Sequence, residues 1–129
     1  MPEDCSATED LVHQAAQVAR AAHAGQVDKL GVDYFEHVAA VADAVSDYGA
    51  NYQIVALLHD SLEDCDDRSI VSPELLARTF GAAVAQAIDA ITKRTGEDYE
   101  RDYLQRVLAN PIARVVKRAD VAHNRSRLH

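Results

Sequence analysis

Helical periodicity, sustained over nearly the whole chain, constrains this sequence more than any other feature. Apolar residues recur three and four apart in segment after segment, which is the spacing of one face of an α-helix. Leu11, Ala15, Val18, Ala19 and Ala22 form the first stripe, predicting a helix over residues 8–24 with Thr8 as N-cap and Gly25 as its stop. Val38, Val41, Ala42 and Val45 predict a second over 35–48, ended by Gly49. Asn51 is placed to cap a third, which carries the apolar run Ile54-Val55-Ala56-Leu57-Leu58. Ser72-Pro73-Glu74-Leu75 joins a cap to a proline at the first helical position and opens a short helix ending at Gly81. Val84, Ala87, Ile88 and Ile91 mark a fifth, reaching about Lys93. Residues 99–109 are helical in character. Asn110-Pro111 opens the last helix, with Ile112, Val115, Val116, Ala119 and Ala122 as its stripe. The segments 25–34, 65–72 and 95–98 read as loops. No repeat, linker or convincing strand interrupts this pattern, so the fold class is all-α.

Composition agrees. Alanine, valine, leucine and isoleucine dominate the apolar set, while tryptophan is absent and glycine and proline number only 5 and 3. That mixture suits packed helices better than a sheet. At 129 residues the chain reads as one domain. A domain of this size buries roughly two-thirds of its unfolded surface and needs no covalent staple. Cys5 and Cys65 lack CxxC spacing and read as reduced thiols of a cytosolic protein. The formal charge of −8 argues against a general nucleic-acid binder, which needs a basic face for phosphates. It leaves room for a small phosphorylated ligand, since a metal supplies positive charge locally. No signal peptide is visible, and no apolar run approaches the ~20 residues of a membrane span. The chain therefore reads as soluble and cytoplasmic, with its oligomeric state open.

The chemistry is concentrated in Leu57-Leu58-His59-Asp60-Ser61-Leu62-Glu63-Asp64-Cys65. Read as a continuing helix, this stretch puts Glu63 four residues after His59 and Asp64 four after Asp60, on shared faces. Burying so many polar groups beside a core costs free energy unless a metal or strong partners compensate. Two other polar residues interrupt apolar stripes: His37 before Val38-Ala39-Ala40-Val41, and Asp120 within Val115–Ala122. His37, His59, Asp60 and Asp120 together offer two imidazoles and two carboxylates from three helices. That donor set suits a first-row divalent metal, with manganese, iron, cobalt and zinc all open. A metal there would polarise a phosphoryl oxygen and acidify water. Glu63 and Asp64, one turn on, are placed to orient or deprotonate that water. Singly, each element has a plainer reading: His37 as a core or cap histidine, Glu63-Asp64 as a solvated helix end, Asp120 as an ion-pair partner of Lys117 or Arg118. Taken in order, each within an apolar helix, they read as one site.

The order His37…His59-Asp60…Asp120 resembles the HD-domain metal-dependent phosphohydrolases. The finer resemblance is to the hydrolase domain of the RelA/SpoT-type guanosine tetraphosphate family, including its small stand-alone members. Ala22-His23-Ala24-Gly25-Gln26, Lys29, Gly31 and Tyr34-Phe35-Glu36-His37 are similar to its opening segment. Residues Ala56 to Asp64 are similar to its central signature, and Phe80-Gly81 with Ile91-Thr92-Lys93 to later landmarks. Val116-Lys117-Arg118-Ala119-Asp120-Val121-Ala122-His123-Asn124 resembles its last metal-ligand segment. The resemblance runs from about residue 10 to 127 and implies one HD-type hydrolase domain over 1–129. It implies a metal, manganese in that family, held by His37, His59, Asp60 and Asp120. It implies Glu63 and Asp64 as the catalytic carboxylates, Lys29 as a phosphate-side contact and Asn124 as a nucleotide contact. The implied reaction removes the 3′-diphosphate of guanosine tetra- or pentaphosphate by hydrolysis.

Three departures stand out. Asp28 replaces the basic residue usual before Lys29, and a carboxylate cannot pair with phosphate as an arginine does. Val38 follows His37 where proline is usual, a change of local geometry. The sequence ends at His129, short of the C-terminal helices that complete the pocket in many members. Tyr34 is read as a substrate contact that stacks on a base, with closure of the core edge as its plain alternative. His13 is expected to be solvated, His23 to make a structural hydrogen bond, Tyr99 and Tyr103 to pack together, and His129 to fray. Beside guanosine tetraphosphate hydrolysis two readings stay open. One is hydrolysis of another nucleotide or phosphoester; the other is a degenerate domain that binds a nucleotide and regulates a partner.

Overall fold

The computed structural model describes residues 2–27 and 31–127, with side chains described for 9–27 and 31–125. The expectations placed on Asp28, Lys29 and His129 therefore lie outside the described residues. Among those described, no strand forms; a single antiparallel bridge joins Val27 to Asp33. The fold is all-α, as the periodicity predicts.

Helix α1 (Pro2–Ala22) starts at Pro2, ahead of the expected Thr8. Proline pre-sets the helical φ at a first position, so the sequence before Thr8 already favours a start. α2 (Tyr34–Ala44) is capped by Asp33, whose side chain accepts from the Phe35 amide at 3.1 Å. It ends short of the expected Tyr48: Ser46–Tyr48 tighten into a 3₁₀ turn, a common ending for an α-helix. Gly49 then takes φ +119°, which side-chain-bearing residues avoid, and leads straight into α3 (Ala50–Leu58). Asn51 accordingly lies inside α3 rather than capping it.

α3 is the centre of the fold. Its residues Ile54 to Leu58 are all buried, as expected of a helix that is apolar all round. It packs against α1, α2, α6 (Ala82–Ile91) and α8 (Pro111–Arg127). The one-turn α4 (Ser61–Asp64) follows it after a break. The guanidinium of Arg68 donates to the carbonyls of Leu62, Cys65 and Val71 at 3.1–3.3 Å and organises the loop beyond α4. α5 (Pro73–Phe80) opens as predicted, with Ser72 Oγ accepting from the Leu75 amide at 3.1 Å. Gly81, at φ +96°, both ends α5 and starts α6. Residues 99–109 split into a π-helical turn, Tyr99–Tyr103, and α7 (Leu104–Ala109). Tyr103 is buried and donates to the Ile91 carbonyl at 2.7 Å, with Tyr99 packed on its ring at 5.3 Å.

α8 is capped by Asn110, whose Oδ1 accepts from the amides of Ile112 and Ala113 at 3.1 and 3.0 Å. The expected stripe is only partly right. Ala122 is exposed, and among the described side chains of α8 the buried positions are Ala113, Val116 and Asp120. α8 is rotated so that a carboxylate, rather than an alanine, faces the centre. Cys65 is a buried free thiol. Among the described residues no helix is long and apolar enough to cross a membrane.

Candidate metal centre

The site forms where three helices meet at the broken end of α3. His59 is the C-cap of α3, and α4 restarts at Ser61. Side chains satisfy the carbonyls freed by that break: Ser61 Oγ donates to Leu58 at 2.7 Å and His59 Nδ1 donates to Ala56 at 2.6 Å. The expected continuous helix is therefore a helix, a two-residue turn and a further turn of helix. The break matters chemically. The Nδ1–H of His59 is committed to a carbonyl, so Nε2 is the atom presented to the site.

His37 reaches the same point from α2 and Asp120 from α8. His37 Nε2 lies 2.7 Å from Asp120 Oδ1, and His59 Nε2 lies 3.3 Å from both Asp120 Oδ1 and Asp60 Oδ2. One ligand atom from each of His37, His59, Asp60 and Asp120 lies within 4.8 Å of the other three. Atoms bound to one first-row ion at ~2.1 Å stand roughly 3 to 4 Å from one another, so these donors would hold a divalent metal once the widest pairs draw in by up to ~1 Å. His37, His59 and Asp120 are buried; Asp60 is half-buried, toward solvent. Burial alone costs a charge dearly, which is why the charges here are paired.

The electrostatics follow from this packing. Burial works against a charge on His59, but Asp60 and Asp120 outweigh it and push its pKa up to about 9. Burial raises the Asp120 carboxyl, yet hydrogen bonds from His37 and His59 and the charge of Lys117 hold it well below the usual carboxylate range. Lys117 Nζ stands 3.7 Å from Asp120 Oδ2, so Asp120 is at once the expected ion-pair partner and a cluster member. Tyr34 donates its hydroxyl to Asp60 Oδ2, and burial, then Asp60, pushes its pKa up. Its ring stands between those of His23 and His37, at 4.7 and 5.4 Å. The half-buried Tyr34 thus borders the cluster.

Glu63 and Asp64 sit on α4 just beyond the cluster, exposed at the surface. Partial desolvation first, and the charge of Asp60 second, raise the pKa of both. A raised carboxylate is a better proton acceptor near neutral pH. The turn that carries them is held from the far side. Gln26 Nε2 donates to the Asp64 carbonyl at 2.9 Å, and Gln26 Oε1 accepts from His23 Nδ1 at 2.9 Å. His23 therefore makes the structural hydrogen bond expected of it, and His13 is exposed as expected. Asn124 is exposed on α8, one turn beyond Asp120.

One neighbour escaped the sequence reading: His123, whose Nδ1 stands 2.7 Å from His37 Nδ1, with the rings 4.8 Å apart. Burial and the neighbouring His37 lower the pKa of His123. The spacing of three residues from Asp120, on the same helix, was the available signal.

The chain is similar to several known proteins. A Vibrio cholerae guanosine-3′,5′-bis(diphosphate) 3′-pyrophosphohydrolase is 37% identical over 86 residues, covering 65% of this chain and 12% of that protein. Its Haemophilus influenzae counterpart is 30% identical and covers 83% of this chain and 17% of that protein. A probable chloroplastic GTP diphosphokinase of Arabidopsis thaliana is 30% identical over 94% of this chain and 19% of its own length. The chain thus spans a fifth or less of these relatives. A solved structure of a metazoan SpoT ortholog that hydrolyses ppGpp superposes with a TM-score of 0.73 at 23% identity, over 88% of this chain and 67% of that one. At that identity the likeness speaks to the fold. A family model described as HD domain matches residues 15–124, and by that match the chain belongs to the HD-domain family.

Proposed function

We propose that this chain, acting as a single domain over residues 1–129, is a metal-dependent phosphohydrolase of a phosphorylated nucleotide. The leading substrate is guanosine 3′,5′-bis(diphosphate), hydrolysed at its 3′-diphosphate. One observation carries the reading: four ligand atoms within 4.8 Å of one another, with two carboxylates of raised pKa one helical turn away. His37, His59, Asp60 and Asp120 would hold the ion, which we take to be manganese. When bound, it supplies Lewis acidity to water and to a phosphoryl oxygen.

The rest is done by the chain. Glu63 and Asp64 accept the proton of the attacking water, and one of them returns a proton to the departing ribose 3′ oxygen. The attack forms a phosphorus–oxygen bond to water and breaks that to the ribose. Asp60 is kept in place by the Tyr34 hydroxyl, and Asp120 by Lys117. Lys29 is assigned to the phosphates, Asn124 to the nucleotide and Tyr34 to the rim of the pocket. The diphosphokinase named among the relatives transfers a diphosphate to a nucleotide. Paired raised carboxylates beside a metal cluster suit the transfer to water instead. We take its compartment to be the cytoplasm, which holds nucleotides of this class.

The test is hydrolysis of a nucleotide panel, with manganese and with chelator. Manganese-dependent diphosphate release from guanosine tetraphosphate is the expected result. Release confined to another nucleotide would overturn the substrate assignment. No release from any, with metal bound, would favour the regulatory reading.

A further inference from the structure

We propose that His123 is a positioning residue that fixes which nitrogen of His37 faces the metal cluster. The inference rests on the reading of His37 as a ligand, and deepens it. His37 presents Nε2 to the cluster, 2.7 Å from Asp120 Oδ1, and turns Nδ1 toward His123 Nδ1 at 2.7 Å. A neutral imidazole carries one proton. For Nε2 to offer its lone pair to a cation, the proton must sit on Nδ1, and a buried N–H needs an acceptor. The Nδ1 lone pair of His123 is that acceptor. His123 itself is not a ligand, because it meets the nitrogen of His37 that points away from the cluster.

The two imidazoles of the site are thus held by unlike devices. His59 donates a hydrogen bond from Nδ1–H to the Ala56 carbonyl, a group that no substitution removes and that only accepts. His37 depends on a side chain. That side chain sits on α8 three residues beyond Asp120, so one helix supplies both a carboxylate of the cluster and the orienting group for an imidazole across from it. A shift of α8 would move both together. Outer partners of ligating histidines typically contribute about 10–100-fold to metal affinity by holding ring orientation and tautomer.

The experiment measures manganese affinity by competition with a metal indicator, in the full chain and in His123→Leu, His123→Asn and His37→Ala. Asparagine places its carbonyl oxygen where histidine places Nδ1, so it can accept the same hydrogen bond. His123→Leu should weaken manganese binding about 10–100-fold, and His123→Asn should recover most of that loss. In the zinc-loaded protein, long-range proton–nitrogen spectra should show His37 with its proton on Nδ1, and this signature should be lost in His123→Leu. Wild-type affinity in His123→Leu, or equal weakening in the leucine and asparagine variants, would overturn the proposal. The His37→Ala arm separates the two levels. If it leaves affinity unchanged, the ligand reading itself fails. If it abolishes binding while His123→Leu does not weaken it, only the positioning role fails.

Discussion

The proton on His59 is the most direct handle on this site. Asp60 and Asp120 push its pKa up to about 9, so near neutral pH the protein's own groups keep Nε2 protonated. A metal must displace that proton, because an imidazolium has no lone pair to give. Below about 9 the apparent affinity should therefore rise about tenfold per pH unit, and binding at pH 7 should be roughly 100-fold weaker than the limit above 9. Manganese dissociation constants between pH 7 and 8.5, read by indicator competition, give the slope. Calorimetry in two buffers of different ionisation enthalpy counts the proton released, expected to be close to one. Folding stability in chelator has the opposite sign. A histidine whose folded pKa lies above its unfolded value, ordinarily 6.5, stabilises the fold fully below 6.5. That contribution is lost as pH rises through about 9, and is on the order of 3 kcal/mol. Urea titrations in chelator should thus show His59's contribution falling from pH 6.5 to 9, and His59→Gln should flatten that fall. A metal affinity independent of pH from 7 to 8.5, with no proton released, would refute the reasoning.

Glu63→Gln and Asp64→Asn should leave metal binding largely intact while cutting turnover on the order of 10²–10⁴-fold. Near-normal turnover in both, and in the double variant, would remove them from the mechanism. Asp28→Arg, assayed on guanosine tetraphosphate and simpler nucleotides, should selectively improve the tetraphosphate, since it replaces a like charge by a phosphate-pairing one. Unchanged kinetics on every substrate would place residue 28 outside the pocket. Gly81→Ala should destabilise the fold by about 1 kcal/mol or more, because φ +96° at the α5–α6 junction strains any side-chain-bearing residue, although a Cβ would have room. Unchanged thermal stability would show that the junction relaxes freely.

Local rules were sufficient for much of this molecule. Ser72-Pro73 and Asn110-Pro111 start helices because a cap and a fixed φ act within a few bonds, and both are seen where the sequence puts them. The apolar run Ile54–Leu58 marked the central helix because only a helix surrounded by others can be apolar on every side. His37, His59, Asp60 and Asp120 were legible as a set because each breaks an apolar stripe, and an uncompensated polar group in a core is costly. What the sequence left undecided is set by packing between segments distant in the chain. Periodicity tolerates a rotation of α8 by part of a turn, and only its neighbours chose Ala113, Val116 and Asp120 as the inner face over Ala122. The break at His59 and Asp60 depends on where Ser61 and the His59 ring find carbonyls, a competition that residue spacing does not resolve. The contact of His123 with His37 spans 86 positions. No rule of neighbouring residues reaches that far; the helices had to be docked before two imidazoles could meet.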